Sequence, residues 1–384
     1  MIGRAQTGTG KTAAFLISIF TNLLAKNRQR RQILATPYAL ILAPTRELVI
    51  QITKEAQELC KYANFHVASV YGGVNYHKQL AGITAKPIDV IVATPGRLLD
   101  YQRQNALFLD KLEILVIDEA DRLLDMGFIP DVRKIIFSTP PKEERQTLFF
   151  SATITSEVNH LASQWTRKAF QVDIEPEQVA VDTVKQIVYL TTEKEKYNLL
   201  YNTITGQNLK RVMVFTNRRD ETRKLTDRLK RNNINCEMLS GEVSQKKRIQ
   251  TLEAFKKGKI RVLVATDVAG RGIHIDDVSH VINYTLPYDP EDYVHRIGRT
   301  GRAGASGISI SFACEEGAFY IPDIETFIGQ KLDCIYPENE LLKPAPRGTH
   351  KPEKNLNQPK RKYSGRKRKN YRPGKSQSQK KSAS

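Results

Sequence analysis

Short Val- and Ile-rich runs alternate with stretches of helical period along nearly the whole chain, and that alternation restricts the fold more than any single residue does. In the first half the apolar runs are Ala39–Ala43, Asp89–Ala93, Leu112–Ile117 and Thr147–Phe150, with helical periodicity over Glu47–Lys61 and Ser156–Trp165. The pattern reads as βαβ units around a parallel sheet. After a polar stretch near Glu175–Thr183 it resumes at Arg211–Phe215, Arg261–Ala265, Val281–Tyr284 and Ile308–Phe312, separated by helices around Arg219–Arg231 and Gln245–Lys257. The expectation is an α/β chain with one domain over residues 1–173, a linker over 174–185, a second domain over 186–335 and a tail over 336–384. A length of 384 residues favours two cores, each able to bury its own apolar layer, and two lobes can clamp a ligand between them.

The formal charge of +19 points to a polyanionic partner such as nucleic acid or a membrane surface, and its placement matters more than its size. Fifteen Lys and Arg against the single acid Glu353 put +14 of it between Lys343 and Ser384, leaving +5 for the rest. So basic and apolar-poor a tail is expected to be disordered when alone; it serves either as a solubilising extension or as an electrostatic contact for RNA or a partner. The four cysteines (Cys60, Cys236, Cys314, Cys334) show no CxxC pair and no zinc-ligand spacing, which fits reduced thiols and argues against a zinc or redox role. No apolar run reaches the roughly 18 residues that span a bilayer, and the segment after Met1 lacks a signal-peptide core. A cytoplasmic protein with no membrane partner is expected.

Three segments carry recognisable chemistry. Ala5-Gln6-Thr7-Gly8-Thr9-Gly10-Lys11-Thr12 ends in the GKT of a phosphate loop, where backbone N–H groups close on phosphate, Lys11 reaches the outer phosphates and Thr12 offers a hydroxyl to Mg2+. Its first position is Ala5 where the strict pattern has Gly, so an ordinary Gly-rich turn is the competing reading, and Ala13–Ala25 supplies the following helix. At 107 positions beyond Lys11 the run Ile114–Ile117 leads into Asp118-Glu119-Ala120-Asp121. A carboxylate at a strand's C-terminal end faces the ligand crevice, so Asp118 would hold Mg2+ and Glu119 would orient and deprotonate the attacking water. An acidic helix start favoured by its dipole is the plainer alternative. In His295–Arg302, Arg299 and Arg302 lie three apart and can point at one anion as arginine fingers, against the alternative of a solvated basic turn.

In order along the chain, AQTGTGKT, PTREL (Pro44–Leu48), Gly72-Gly73, TPGR (Thr94–Arg97), DEAD (Asp118–Asp121) and SAT (Ser151–Thr153) resemble the motif series of DEAD-box RNA helicases. VFTN (Val214–Asn217), Gln245 and Arg248 after Gly241, ATDVAGRGIHID (Ala265–Asp276) and HRIGRTGR (His295–Arg302) continue it, so the resemblance covers roughly positions 3 to 330. It implies two RecA-like domains, each a parallel sheet flanked by helices, that close on ATP and single-stranded RNA and open short RNA duplexes. Carried over by motif, residues Ala5, Gln6, Thr7, Gly8, Thr9, Gly10, Lys11, Thr12 and Asp267 would hold the nucleotide, Asp267 at its ribose. Thr45, Arg46, Gly73, Thr94 and Arg97 would touch the RNA backbone in the first domain, and Asn217, Gly241, Gln245, Arg248 and Thr266 in the second; such contacts read little sequence. Ser151 and Thr153 would link the ATP site to the domain interface. Around TNRRDETRKLTDRL, HIDDVSHVINY and the basic tail the resemblance is to a bacterial branch of the family, which implies messenger RNA decay beside the endonuclease RNase E and other RNA-degradosome components. Gly270 stands where the family often has Ala.

The chain departs from the family at its start, where only Met1-Ile2-Gly3-Arg4 precedes Ala5. The family's glutamine-centred Q motif and its adenine-stacking aromatic are not seen there, Gln6 being too close to the loop to replace them. The expectation is a shortened strand at the sheet's centre, orphaned backbone groups, weak adenine selectivity, poor folding and feeble hydrolysis. This keeps alive an ATP-independent RNA-binding or annealing protein. A DNA translocase of the wider superfamily is disfavoured by DEAD, SAT and HRIGRTGR together.

Overall fold

The computed structural model describes residues 1–5, 9–25, 33–174, 184–241, 243–267, 278–301 and 307–347. The first seven strands are β1 (Ile2–Arg4), β2 (Ala39–Leu42), β3 (Val67–Val70), β4 (Val90–Ala93), β5 (Ile114–Ile117), β6 (Gln146–Ser151) and β7 (Gln171–Asp173). They form one parallel sheet in the order β3-β4-β2-β5-β6-β1-β7. Helices α1 (Lys11–Ala25), α2 (Arg46–Leu59), α3 (Tyr76–Thr84), α4 (Pro95–Arg103), α5 (Ala120–Asp125), α6 (Ile129–Phe137) and α7 (Ser156–Trp165) alternate with them. β2, β4 and β5 read ALIL, VIVA and ILVI because both their faces are covered. Alternate residues go to opposite layers: Leu40, Ile91 and Leu115 pack with Leu98 of α4 and Val158 of α7, whereas Ile41, Val92 and Val116 pack with Phe15 of α1 and Ile52 of α2.

The second sheet is built from β8 (Val184–Leu190), β9 (Val212–Phe215), β10 (Cys236–Leu239), β11 (Val262–Ala265), β12 (His280–Asn283), β13 (Gly307–Ala313) and β14 (Cys334–Ile335). Its helices are α8 (Lys196–Gly206), α9 (Arg219–Arg231), α10 (Gln245–Lys256), α11 (Pro290–Ile297), α12 (Ile321–Ile328) and the short α13 (Asn339–Leu342). The order β10-β11-β9-β12-β13-β8-β14 repeats that of the first sheet strand for strand, and every pairing is again parallel. The expected pair of α/β domains is therefore a pair of identical topologies.

Three expectations need correction. β1 is not central: it is second from the sheet edge, between β6 and β7, and its three residues pair with both neighbours. The second sheet starts at Val184, two residues inside the expected linker, whose positions 175–183 lie outside the described residues. The expected tail from 336 is folded at its beginning. Leu341, Leu342 and Ala345 pack on the α8 layer, and Asn202 Nδ2 donates to the carbonyls of Leu341 and Lys343 at 2.9 and 2.7 Å. Residues 348–384 lie outside the described residues.

Candidate nucleotide and RNA site

Parallel strands deliver their loops to one edge of the sheet, and the C-terminal ends of β1, β5 and β6 bring three motifs together there. Ala5 follows β1, buried, with its N–H on the Ser151 carbonyl at 3.1 Å. Gln6, Thr7 and Gly8 of the phosphate loop lie outside the described residues. Gly10 turns into α1 at φ +86°, a conformation that glycine adopts without strain. Lys11, the first residue of α1, donates from its ammonium to the Ala5 carbonyl, and Thr12 beside it is half-buried.

Opposite the loop, Asp118 directly follows β5. Its N–H reaches the Leu42 carbonyl at 2.9 Å, and its Oδ1 accepts from the Glu119 N–H at 3.0 Å. Burial and then the neighbouring Glu119 charge push its carboxyl up to about 7, against the pull of Lys11. Glu119 caps α5 in the left-handed region at φ +49°, strain that a non-glycine residue retains only where its surroundings over-determine it. The Arg122 guanidinium, 3% exposed, fixes that carboxylate at 2.9 Å.

Asp121 is the junction. Its Oδ2 accepts from the N–H groups of Ala152 and Thr153 at 2.9 and 3.0 Å and from the Thr153 hydroxyl at 3.3 Å, while its own N–H donates to Ser151 Oγ at 3.2 Å. Burial pushes this carboxyl up. The Thr153 N–H, Arg122 and the His295 charge outweigh it and hold the group below its ordinary value. His295 stands on α11, so the DEAD segment of one domain faces the HRIGRTGR segment of the other.

A second contact ties the domains. Arg248 Nε and Gln245 Nε2, both on α10, donate to Glu47 Oε1 on α2 at 2.7 and 3.1 Å, and Arg248 Nη1 also reaches the Ser240 carbonyl at 3.2 Å. Glu47 thus occupies two side chains that motif resemblance assigns to RNA. The Arg46 guanidinium lies against Gly73, where φ is +82° and a Cβ would collide with it; Gln245 Cβ stands 3.5 Å from that same position. Thr45 caps α2 through Leu48 N–H at 3.3 Å. Thr94 precedes α4, and Arg97 donates to Gln79 Oε1 at 3.2 Å while lying over the Tyr76 and Tyr101 rings. Gly241 faces the Arg219 guanidinium, and Thr266 is buried at the end of β11.

In the second domain Arg296 organises the loops. Although 1% exposed, it binds both Asp267 oxygens at 2.6 and 2.7 Å, Asn217 Oδ1 at 2.7 Å, the Thr285 carbonyl at 2.6 Å and Asn283 Oδ1 at 3.3 Å. Asn217 Nδ2 also donates to the Leu286 carbonyl at 2.8 Å, so both ends of its side chain are engaged within the domain. Arg299 is buried, with Nε on the His295 carbonyl at 3.1 Å, whereas Arg302 and the 268–276 part of ATDVAGRGIHID lie outside the described residues. Glu47, Arg122 and Arg296, which hold candidate site residues in place, are the ones that sequence reasoning missed. The first and last sit inside quoted motifs, where their neighbours drew the attention.

A profile of the DEAD/DEAH box helicases matches residues 1–161, and one of the helicase conserved C-terminal domain matches residues 195–304. The chain belongs to the DEAD-box helicase family. Among relatives of this DEAD-box helicase, the ATP-dependent RNA helicase RhlB of Pseudomonas putida is 58% identical over 349 residues, 91% of this chain and 88% of that one. The RhlB of Pseudomonas aeruginosa is 60% identical over 346 residues, 90% and 87% of the two chains. Dbp5 of S. cerevisiae bound to RNA and ADP BeF3 has a similar structure, with a TM-score of 0.77 at 31% identity, covering 88% of this chain and 86% of that one. Mss116p bound to ssRNA and AMP-PNP gives a TM-score of 0.75 at 30% identity, with 88% and 72% covered. Such likeness at about 30% identity extends to both sheets, which matches their tandem RecA-like topology.

Proposed function

We propose that the chain is an ATP-dependent RNA helicase that opens short RNA duplexes locally, each cycle driven by closure of the two domains on ATP and RNA. The observation that carries this reading is Asp121: one carboxylate is clamped by the Ser151–Thr153 segment and electrostatically engaged by His295 of the other domain. Three residues away in the chain, Asp118 feels the charge of Lys11. A change at the nucleotide is thereby transmitted to the domain seam.

Lys11 and the amides of the phosphate loop would grip the phosphates, and Asp267 would meet the ribose. Mg2+ fits the donor set, because that ion takes one carboxylate plus hydroxyl, water and phosphate oxygens, here Asp118 and Thr12. When bound it neutralises developing phosphate charge. Glu119, oriented by Arg122, would hold the attacking water and take its proton, and Arg299 with Arg302 would steady the transferred phosphoryl from the second domain. Arg46, Gly73, Thr94 and Arg97 would follow the RNA backbone on one side, with Gly241, Gln245, Arg248 and Thr266 on the other. The domains are proposed as 1–173 and 184–347, joined over 174–183.

Similarity to RhlB supports a place in messenger RNA decay in the bacterial cytoplasm, with RNase E and other degradosome components as partners. Glu119→Gln is the test. RNA binding with ATP should persist while turnover falls ~10²-fold or more. A variant that turns over normally would remove Glu119 from the mechanism.

A further inference from the structure

Arg97 stands in the first turn of α4, and among the described residues no carboxylate pairs with it; Asp100, the only acid of that helix, pairs with Arg103 at 3.8 Å. Arg248 in the second domain, by contrast, is taken up by Glu47. What holds Arg97 is uncharged. Its Nη1 donates to Gln79 Oε1 at 3.2 Å, and its guanidinium lies 5.3 and 5.8 Å from the centroids of the Tyr76 and Tyr101 rings. Ring faces and a neutral amide oxygen attract a guanidinium without cancelling its charge.

The groups around Arg97 are themselves fixed. Tyr101, fully buried, sets its hydroxyl between Gln79 Oε1 at 2.9 Å and the Tyr76 carbonyl at 3.1 Å. Gln79 Oε1 therefore serves two donors, Arg97 and Tyr101. The Tyr76 ring packs on Tyr101 with centroids 4.8 Å apart, and its hydroxyl donates to Gln104 Oε1 at 2.7 Å. Burial raises the Tyr101 phenol above its ordinary value against the pull of Arg97, so the hydroxyl keeps its proton and goes on donating. Tyr76 and Gln79 lie three apart on α3, which follows Gly72-Gly73 and is capped by Asn75 through the Lys78 N–H at 2.9 Å. One cation is thus cradled between two segments on the proposed RNA path, Gly72-Gly73 with α3 and Thr94–Arg97 with α4.

We propose that Gln79 and Tyr101 are positioning residues for RNA: acting through Arg97, with the Tyr76 ring against it, they hold the guanidinium ready for one backbone phosphate of the single strand. This role rests on Arg97 meeting the RNA backbone, as proposed above, and adds the groups that prepare it for that contact. A guanidinium already set in place loses little rotamer freedom when phosphate arrives, and Gln79 occupies one of its five N–H donors. A mere tie between α3 and α4 would have the opposite response to charge. A carboxylate in place of Gln79 would tighten such a tie, whereas for RNA it would neutralise the charge that the phosphate needs.

The test measures binding of a fluorescein-labelled oligouridylate to the full chain with a non-hydrolysable ATP analogue, by fluorescence anisotropy over a series of salt concentrations, beside ATP turnover against RNA concentration. Arg97→Gln should lower RNA affinity about tenfold and flatten the salt dependence by about 0.7 in slope, the loss of one phosphate contact. Gln79→Glu should reproduce both changes and raise the RNA concentration for half-maximal turnover by a similar factor, with maximal turnover within about twofold of the unaltered chain. Its melting temperature should be no lower. Tyr101→Phe, which keeps the ring and removes the hydroxyl, should lower affinity about threefold with the same split. Added to Arg97→Gln, Gln79→Glu should cost little more; a further loss of the same size would mean that the carboxylate repels RNA by itself, and would overturn the proposal. A Gln79→Glu chain that melts earlier and loses maximal turnover would mark a structural tie and overturn it too. Normal affinity in the Gln79 and Tyr101 variants beside a weakened Arg97→Gln would overturn the positioning role and leave Arg97 as an RNA contact, whereas normal affinity in Arg97→Gln would remove both.

Discussion

At Asp121 a single buried carboxylate satisfies backbone donors, a hydroxyl and a charge on the neighbouring domain, and its low pKa is the record of those contacts. A carboxyl held below its unfolded value stabilises the fold above that value and loses the contribution as acidification protonates it. Asp121→Asn should therefore cost about 1–3 kcal/mol at pH 7, the cost of weakening buried hydrogen bonds, and progressively less below the ordinary carboxyl value of 3.8, as at about pH 3. Urea denaturation at the two pH values checks this; equal losses at both would mean that the charge is not what matters. Arg122 acts through Glu119, and Arg122→Met should lower turnover while leaving the affinity for RNA unchanged. An unchanged rate would show that Glu119 needs no such support.

Among elements, α11 is held against β9 and β12 by Arg296, whose fork reaches Asp267, Asn217 and the Thr285 carbonyl together. Replacing it with Met leaves Asp267 short of its buried partner, a loss of ~3–5 kcal/mol, and Lys cannot serve all three acceptors from one nitrogen. Both variants should melt the second domain earlier by calorimetry; an Arg296→Lys chain as stable as the parent would show that the fork is dispensable. The interior strands were legible in the sequence because β2, β4, β5, β9 and β11 are buried on both faces and therefore continuously apolar. β3, β7, β10 and β14 were not. They lie at or near sheet edges, with polar or half-exposed residues, and their pattern does not rise above a loop's. Phosphate-loop and DEAD residues were legible for a local reason, since each sits at a strand end followed directly by a helix. The Glu47–Arg248 pair joins positions 201 apart, and no local pattern can announce it.

For the whole molecule, that Glu47–Arg248 pair is the most direct probe of closure, because each partner sits on a different domain and both are about 10% exposed. Glu47→Arg or Arg248→Glu alone should raise the RNA concentration needed for half-maximal ATP turnover, and the two together should recover part of it, with a coupling of ~0.5–3 kcal/mol. Strictly additive effects would place the pair outside the working cycle. Removing residues 348–384, which carry most of the basic surplus, should weaken RNA binding and flatten its dependence on salt, by about 0.7 in slope for each phosphate that the tail neutralises. The central claim, that ATP is hydrolysed at a seam completed by RNA, is tested most directly by the steady-state rate of ATP turnover without nucleic acid, with single-stranded RNA and with DNA of the same sequence. RNA should raise the rate at least tenfold and DNA should leave it near the basal value; equal rates under all three conditions would contradict the account.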